Sequence, residues 1–101
     1  MGFLSSLFGG NSAKQEKILE MISRGGIIID VRTPGEFKMS HVPGSKNIPL
    51  NLISSKLKNL QKLNKPIIVC CASGNRSGQA ASMLQAKGIE VINGGSWRSL
   101  M

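Results

Sequence analysis

One heptapeptide concentrates the residues able to do chemistry: Cys71-Ala72-Ser73-Gly74-Asn75-Arg76-Ser77. It follows an apolar run, Ile67-Ile68-Val69-Cys70, that reads as a buried strand, and it leads into a helical pattern from Arg76 to Lys87. A thiol at a strand end, a loop of small residues and then a helix start together surround sulfur with backbone N–H donors. Those donors and the positive helix end stabilise negative charge on the sulfur and on any anion brought to it. Thiolate is the reactive form of cysteine, and an ordinary thiol is mostly protonated at neutral pH. Cys71 therefore reads as a nucleophile whose pKa is lowered by the helix N-terminus and by Arg76. Gly74 lets the backbone curl so that several N–H groups meet at one centre.

The neighbours divide into working and supporting residues. Cys70 belongs to the strand, where successive side chains alternate faces, so it is expected in the core. Arg76 either clamps an anionic substrate or holds the loop through its carbonyls, with the second role favoured. Ser73 and Ser77 either donate to the sulfur or cap the helix, the more frequent role for serine there. Asp30 and Arg32 end an earlier strand and share the rim of the same site. They are read as a tie between loops, with Arg32 answering the charge of Asp30. His41, the only histidine, lies beside a Pro-Gly turn and is expected to fix backbone carbonyls rather than to pair with cysteine. No group of His, Cys, Asp and Glu has metal-ligand spacing, so neither metal nor cofactor is expected.

Strand and helix patterns alternate around this loop. Ser12 with Gln15 forms a capping-box pattern, Ile18, Leu19, Met21 and Ile22 supply an apolar face, and Gly25-Gly26 closes the helix. Ile27 to Ile29 predicts a strand buried on both faces. Thr33, Pro34 and Glu36 predict a second capped helix start. A turn over 40–45, a short strand over 46–49 and one or two helices over 50–63 follow. After Ile67 to Cys70 and the helix, whose inner face is expected to be Ala80, Ala81, Met83 and Leu84, Glu90 to Ile92 predicts the last strand. Asn93-Gly94-Gly95 is expected as a turn, and 96–101 as at most one helical turn. Such alternation predicts an α/β fold with a small parallel sheet, whose ligands sit beyond the carboxyl ends of strands.

With 101 residues the chain makes one domain, read as 14–101 after a flexible or docking segment over 1–13. Phe3, Leu4, Leu7 and Phe8 of that segment share one helical face, and a loosely ordered terminus is the favoured reading. The segment also fits a Met-Gly-x-x-x-Ser acylation pattern, a short motif with many false matches. Lys and Arg number 13 against 5 Asp and Glu, a net charge of +8 that suits anionic substrates. The only dense basic group, Lys56, Lys58, Lys62 and Lys65, has no interleaved aromatics, so nucleic acid is not an expected partner. No run approaches the ~20 apolar residues of a membrane span. Two adjacent cysteines make no disulfide framework, which predicts a reducing, cytoplasmic setting.

Three segments, in order, resemble the rhodanese domain in its compact sulfurtransferase form: 28–37 (Ile-Ile-Asp-Val-Arg-Thr-Pro-Gly-Glu-Phe), 41–49 (His-Val-Pro-Gly-Ser-Lys-Asn-Ile-Pro) and 68–77 around the cysteine loop. Asn93-Gly94-Gly95-Ser96-Trp97 matches that family's closing Gly-Gly-x-Trp feature. The resemblance implies a three-layer fold with a parallel sheet of about five strands. It further implies a ping-pong sulfurtransferase in which Cys71 takes the outer sulfur of thiosulfate or a persulfide donor. The resulting persulfide would be cradled by the amides of Ala72 to Ser77 and passed to cyanide, a thiol or a protein acceptor.

Two alternatives remain. A carrier module would load sulfur on Cys71 without turnover. A cysteine phosphatase or arsenate reductase would need five residues between cysteine and arginine, whereas four separate Cys71 from Arg76. Counting from Cys70 restores five but makes a core-facing side chain the nucleophile.

Overall fold

Two helix starts in this chain are written locally, as capping boxes, and the structure places them accordingly. The computed structural model describes residues 12–101. Ser12 Oγ accepts the Gln15 N–H at 3.0 Å while the Gln15 side chain accepts from the Ser12 amide at 3.2 Å, and α1 runs Ala13–Ser23. Thr33 and Glu36 make the same reciprocal pair before α2, Pro34–Met39, with Pro34 in the first turn, where a missing N–H is harmless. Leu50–Leu63 is a single helix, α3, ended by Asn64 at φ 53°. α4 spans Asn75–Ala86 and begins on Gly74 at φ +104°, a conformation that side chains rarely adopt. Ser12 and Ala13 thus belong to the folded unit, while the reading of the first residues as a flexible or docking segment lies outside the described residues.

The strands are β1 Ile27–Asp30, β2 Lys46–Asn47, β3 Ile67–Cys71 and β4 Val91–Ser96. They pair in the order β2-β1-β3-β4, all parallel, and a 3-10 turn over Trp97–Leu100 follows. The described residues thus form a four-stranded sheet where the resemblance implies about five. β2 stops before Pro49, which instead sits at the start of α3. Residues 93–95, expected as a turn, lie within β4. Val69 pairs with Asn93 and Cys71 with Ser96, so β4 carries one more residue than β3 across that stretch. Gly95 at φ +81° accommodates the extra residue. A Cβ on Gly94 would stand 3.0 Å from Ile68 Cγ2 and 3.2 Å from the Val69 carbonyl. The Gly-Gly pair that resembles a turn is therefore a bulge pressed against the central strand.

Alternation along β3 sends side chains into two cores. Ile67, Val69 and Cys71 pack with Ile29, Val31, Ile53, Leu60, Ala80 and Leu84 under α3 and α4. Ile68 and Cys70 pack on the other face with Ile18, Met21, Val42, Trp97 and Leu100. Of the expected inner face of α4, Ala80 and Leu84 are buried, Ala81 and Met83 are partly buried, and Ser77 is buried with them. No described helix is long and apolar enough to cross a membrane.

Candidate active site

The carboxyl ends of β1, β3 and β4 bring Asp30, Cys71 and Ser96 to one end of the sheet. Cys71 is the last residue of β3, and the chain then folds over its sulfur. The Gly74 N–H donates to Sγ at 2.9 Å, the Ser77 N–H at 3.4 Å, and the Ser77 hydroxyl lies at 3.3 Å. Burial alone would push this thiol up. Hydrogen bonds from the Ser77 hydroxyl and amide, then from the Gly74 and Ser73 amides, outweigh it and bring the pKa down to about 7. Of the other loop donors, the Asn75 N–H turns to Ser73 Oγ at 3.4 Å. Cys71 has no exposed surface, whereas Ala72 and Ser73 above it are exposed.

Cys70, one residue earlier, is pushed up to about 12 by burial and then by the Asp30 carboxylate. Its side chain lies in the opposite core, which removes the Cys-x5-Arg reading that would start there.

Arg76 departs from expectation. Its guanidinium reaches not the loop carbonyls but the Glu36 carboxylate, in a two-pronged pair at 2.8 and 3.1 Å, and holds that carboxyl down at about 2. The pair ties α4 to α2. Since Glu36 neutralises it, Arg76 is a weaker lever on the sulfur than the sequence suggests. Ser77, in contrast, bonds the sulfur rather than serving merely as a cap.

Asp30 and Arg32 form the expected tie. Both are almost fully buried, at 0% and 4% exposure. Arg32 grips the carboxylate at 2.7–3.0 Å and donates to the Ser40 carbonyl at 2.7 Å. His41 stacks on Phe37, with Nδ1 2.8 Å from the Phe37 carbonyl.

Beside the loop lies an open pocket of about 380 Å³ lined by Arg32, Glu36, Met39, Ala72, Trp97 and Arg98. Trp97 is flanked by two guanidiniums, Arg32 at 4.6 Å and Arg98 at 4.8 Å from the ring centre. Another cavity, about 290 Å³, opens at the opposite end of the strands near Pro66 and Glu90. Its Arg24 is already held by Glu20 and Glu90, and no thiol reaches it. No cluster of three metal-ligating side chains occurs among the described residues.

Asn93 is the residue that sequence reasoning missed. From β4 its Nδ2 donates to the Gly74 carbonyl at 3.0 Å, and its Oδ1 accepts from Gly95 N–H at 3.0 Å.

The Rhodanese-like domain model matches residues 14–97. The chain is 30% identical over 89 residues to thiosulfate sulfurtransferase GlpE of Pseudomonas syringae, covering 83% of each. It is 41% identical over 65 residues to the uncharacterized protein YqhL of Bacillus subtilis, covering 64% of this chain but spanning only about half, 51%, of that relative. Among solved structures, reduced CoADR-RHD of Bacillus anthracis superposes with a TM-score of 0.70 at 36% identity, over 84% of this chain and 15% of the other.

Proposed function

The chain belongs to the rhodanese-like domain family, and from that premise we propose that it is a sulfurtransferase working through a persulfide on Cys71. The observation that carries this is the donor set on the sulfur: two amides and a hydroxyl converge on Sγ and favour its anion. The thiolate attacks the outer sulfur of thiosulfate. A bond forms between the two sulfurs, the sulfur–sulfur bond of the donor breaks, and sulfite leaves with its electron pair. Cyanide or a thiolate then attacks the outer, anionic sulfur of the persulfide, and the electron pair of the breaking bond returns to Cys71. Fixed donors aimed at such a charge stabilise it without reorganisation. Anionic donors approach through the pocket beneath Arg98, and the exposed Ala72 and Ser73 are the part of the loop that must give way for contact with the buried thiol.

That burial favours one alternative, a carrier whose loop is parted by a partner protein. Steady-state thiosulfate:cyanide turnover, measured beside the mass of the thiosulfate-treated chain, separates the two. Turnover with one added sulfur supports the enzyme; the added sulfur with almost no turnover supports the carrier. Absence of the added sulfur rejects both. Hydrolysis of an aryl phosphate at a comparable rate would favour the phosphatase reading instead.

A further inference from the structure

Ser77 has one hydroxyl proton and two acceptors. Its Oγ stands 3.3 Å from Cys71 Sγ and 2.7 Å from Asn93 Oδ1. Ser77 is fully buried, so the choice lies between these two. The orientation of Asn93 is not free. Its Nδ2 faces a carbonyl, that of Gly74, and its Oδ1 faces an N–H, that of Gly95, so flipping the amide would oppose like groups at both ends. Asn93 Oδ1 is thus held as an acceptor, aimed at the hydroxyl nearest the reactive sulfur.

We propose that Asn93 is a positioning residue whose Oδ1 accepts the Ser77 O–H hydrogen bond whenever Cys71 Sγ is uncharged and yields it to the sulfur when Sγ is an anion. The inference rests on Cys71 being the sulfur-carrying nucleophile. A hydrogen bond from a hydroxyl to an ionised acceptor is roughly twice as strong as one to a neutral acceptor, so the thiolate draws the Ser77 O–H away from the Asn93 oxygen. A neutral sulfur, whether in the thiol or as the inner atom of a persulfide, is a weak acceptor, and Asn93 at the shorter distance then holds it. In neither state is the buried hydroxyl left unpaired. Oδ1 keeps the Gly95 N–H when Ser77 turns away. The hydroxyl therefore changes partner once in each half of the sulfur cycle.

The charged groups around the loop are themselves tied elsewhere or stand apart from the hydroxyl. Arg76 of α4 is closed by Glu36 of α2, and Arg32 by Asp30 at the end of β1. Lys14 of α1 approaches Gly95, its Nζ 3.7 Å from where a Cβ would stand. α3 faces this core with Ile53 and Leu60, and His41 is engaged with Phe37. Cys70, pushed up to about 12, is silent below pH 10, so a thiolate titration followed at 240 nm reports on Cys71.

The test is that titration on the whole chain, for wild type, Ser77→Ala, Asn93→Asp, Asn93→Ala and the two double variants. Ser77→Ala is expected to raise the Cys71 pKa by about one unit, a tenfold loss of thiolate at pH 6. With Asn93→Asp the introduced carboxylate keeps the proton, so adding Ser77→Ala produces about a third of that rise or less. With Asn93→Ala the hydroxyl serves the sulfur alone, and adding Ser77→Ala produces a larger rise than in wild type. Such unequal increments are the signature of a shared proton; equal increments in all three backgrounds would overturn the proposal. If Asn93→Asp does not fold, the Asn93→Ala pair decides. The titration needs no turnover. Equal increments with thiosulfate turnover intact remove the switch and leave the transferase, whereas unequal increments in a chain that never gains sulfur do the reverse.

Discussion

Cys70 and Cys71 are chain neighbours, both with 0% exposure, yet one is pushed up to about 12 and the other drawn down to about 7. Burial is the largest influence on each and raises both, weighing more on Cys70, which lies deeper, than on Cys71. What differs is the side of the sheet. Cys70 faces Ile68, Trp97 and Leu100, with the Asp30 carboxylate adding to the penalty on its anion. Cys71 faces the turn that starts α4, where Gly74 and Ser77 aim donors at its sulfur. A one-residue step along a strand thus separates a thiol pushed up by a deep apolar setting from one drawn down by aimed donors.

The sharpest way to break this contrast is to exchange the thiols one at a time. Cys71→Ser should abolish sulfur transfer, with kcat/KM down about a thousandfold or more, because a serine hydroxyl cannot supply a stable anion at that pH. Cys70→Ala should keep kcat/KM within a few-fold and lose about 1 kcal/mol of stability in urea, the usual scale for a small core deletion. Substantial transfer by the Cys71→Ser protein would end the assignment.

Removing donors tests the cause directly. Ser77→Ala should lower kcat/KM about tenfold at pH 6 and much less above pH 9, where the thiol is ionised in either protein. The sign follows from the shift: a depressed folded pKa means that the anion is favoured above it, and the advantage is lost as pH falls through about 7. An unchanged pH–rate profile would contradict the account.

Arg76→Ala should act more weakly, a two- to three-fold loss near neutral pH, because the guanidinium is already half-spent on Glu36. Glu36→Gln sharpens the point. It uncovers the Arg76 charge and should shift the Cys71 titration slightly downward, whereas an upward shift would mean that the pair supports the loop chiefly by tying α4 to α2.

How much of this is legible in sequence follows from the range of each interaction. The capping pairs Ser12–Gln15 and Thr33–Glu36 span three residues, and the alternation that separates Cys70 from Cys71 spans one, so both can be read along the chain. The loop over 71–77 is equally local. Arg76 is not: its partner Glu36 is 40 residues away, so the sequence suggested a cation free to act on the loop. Asn93-Gly94-Gly95 carries the residue types of a turn. Only pairing with β3 reveals a bulge, and only that bulge points Asn93 at the loop. That the Asn75 N–H turns to the Ser73 hydroxyl is likewise a competition that spacing does not record.

The most direct measurement labels both thiols in one experiment. Native protein is alkylated with iodoacetamide across pH 5–10, and the two adjacent cysteines are resolved by fragmentation mass spectrometry. The account predicts that Cys71 reacts with a midpoint near 7 while Cys70 stays unmodified until the chain is unfolded. Equal labelling of the pair, or a Cys71 midpoint at the value of a free thiol, would contradict it.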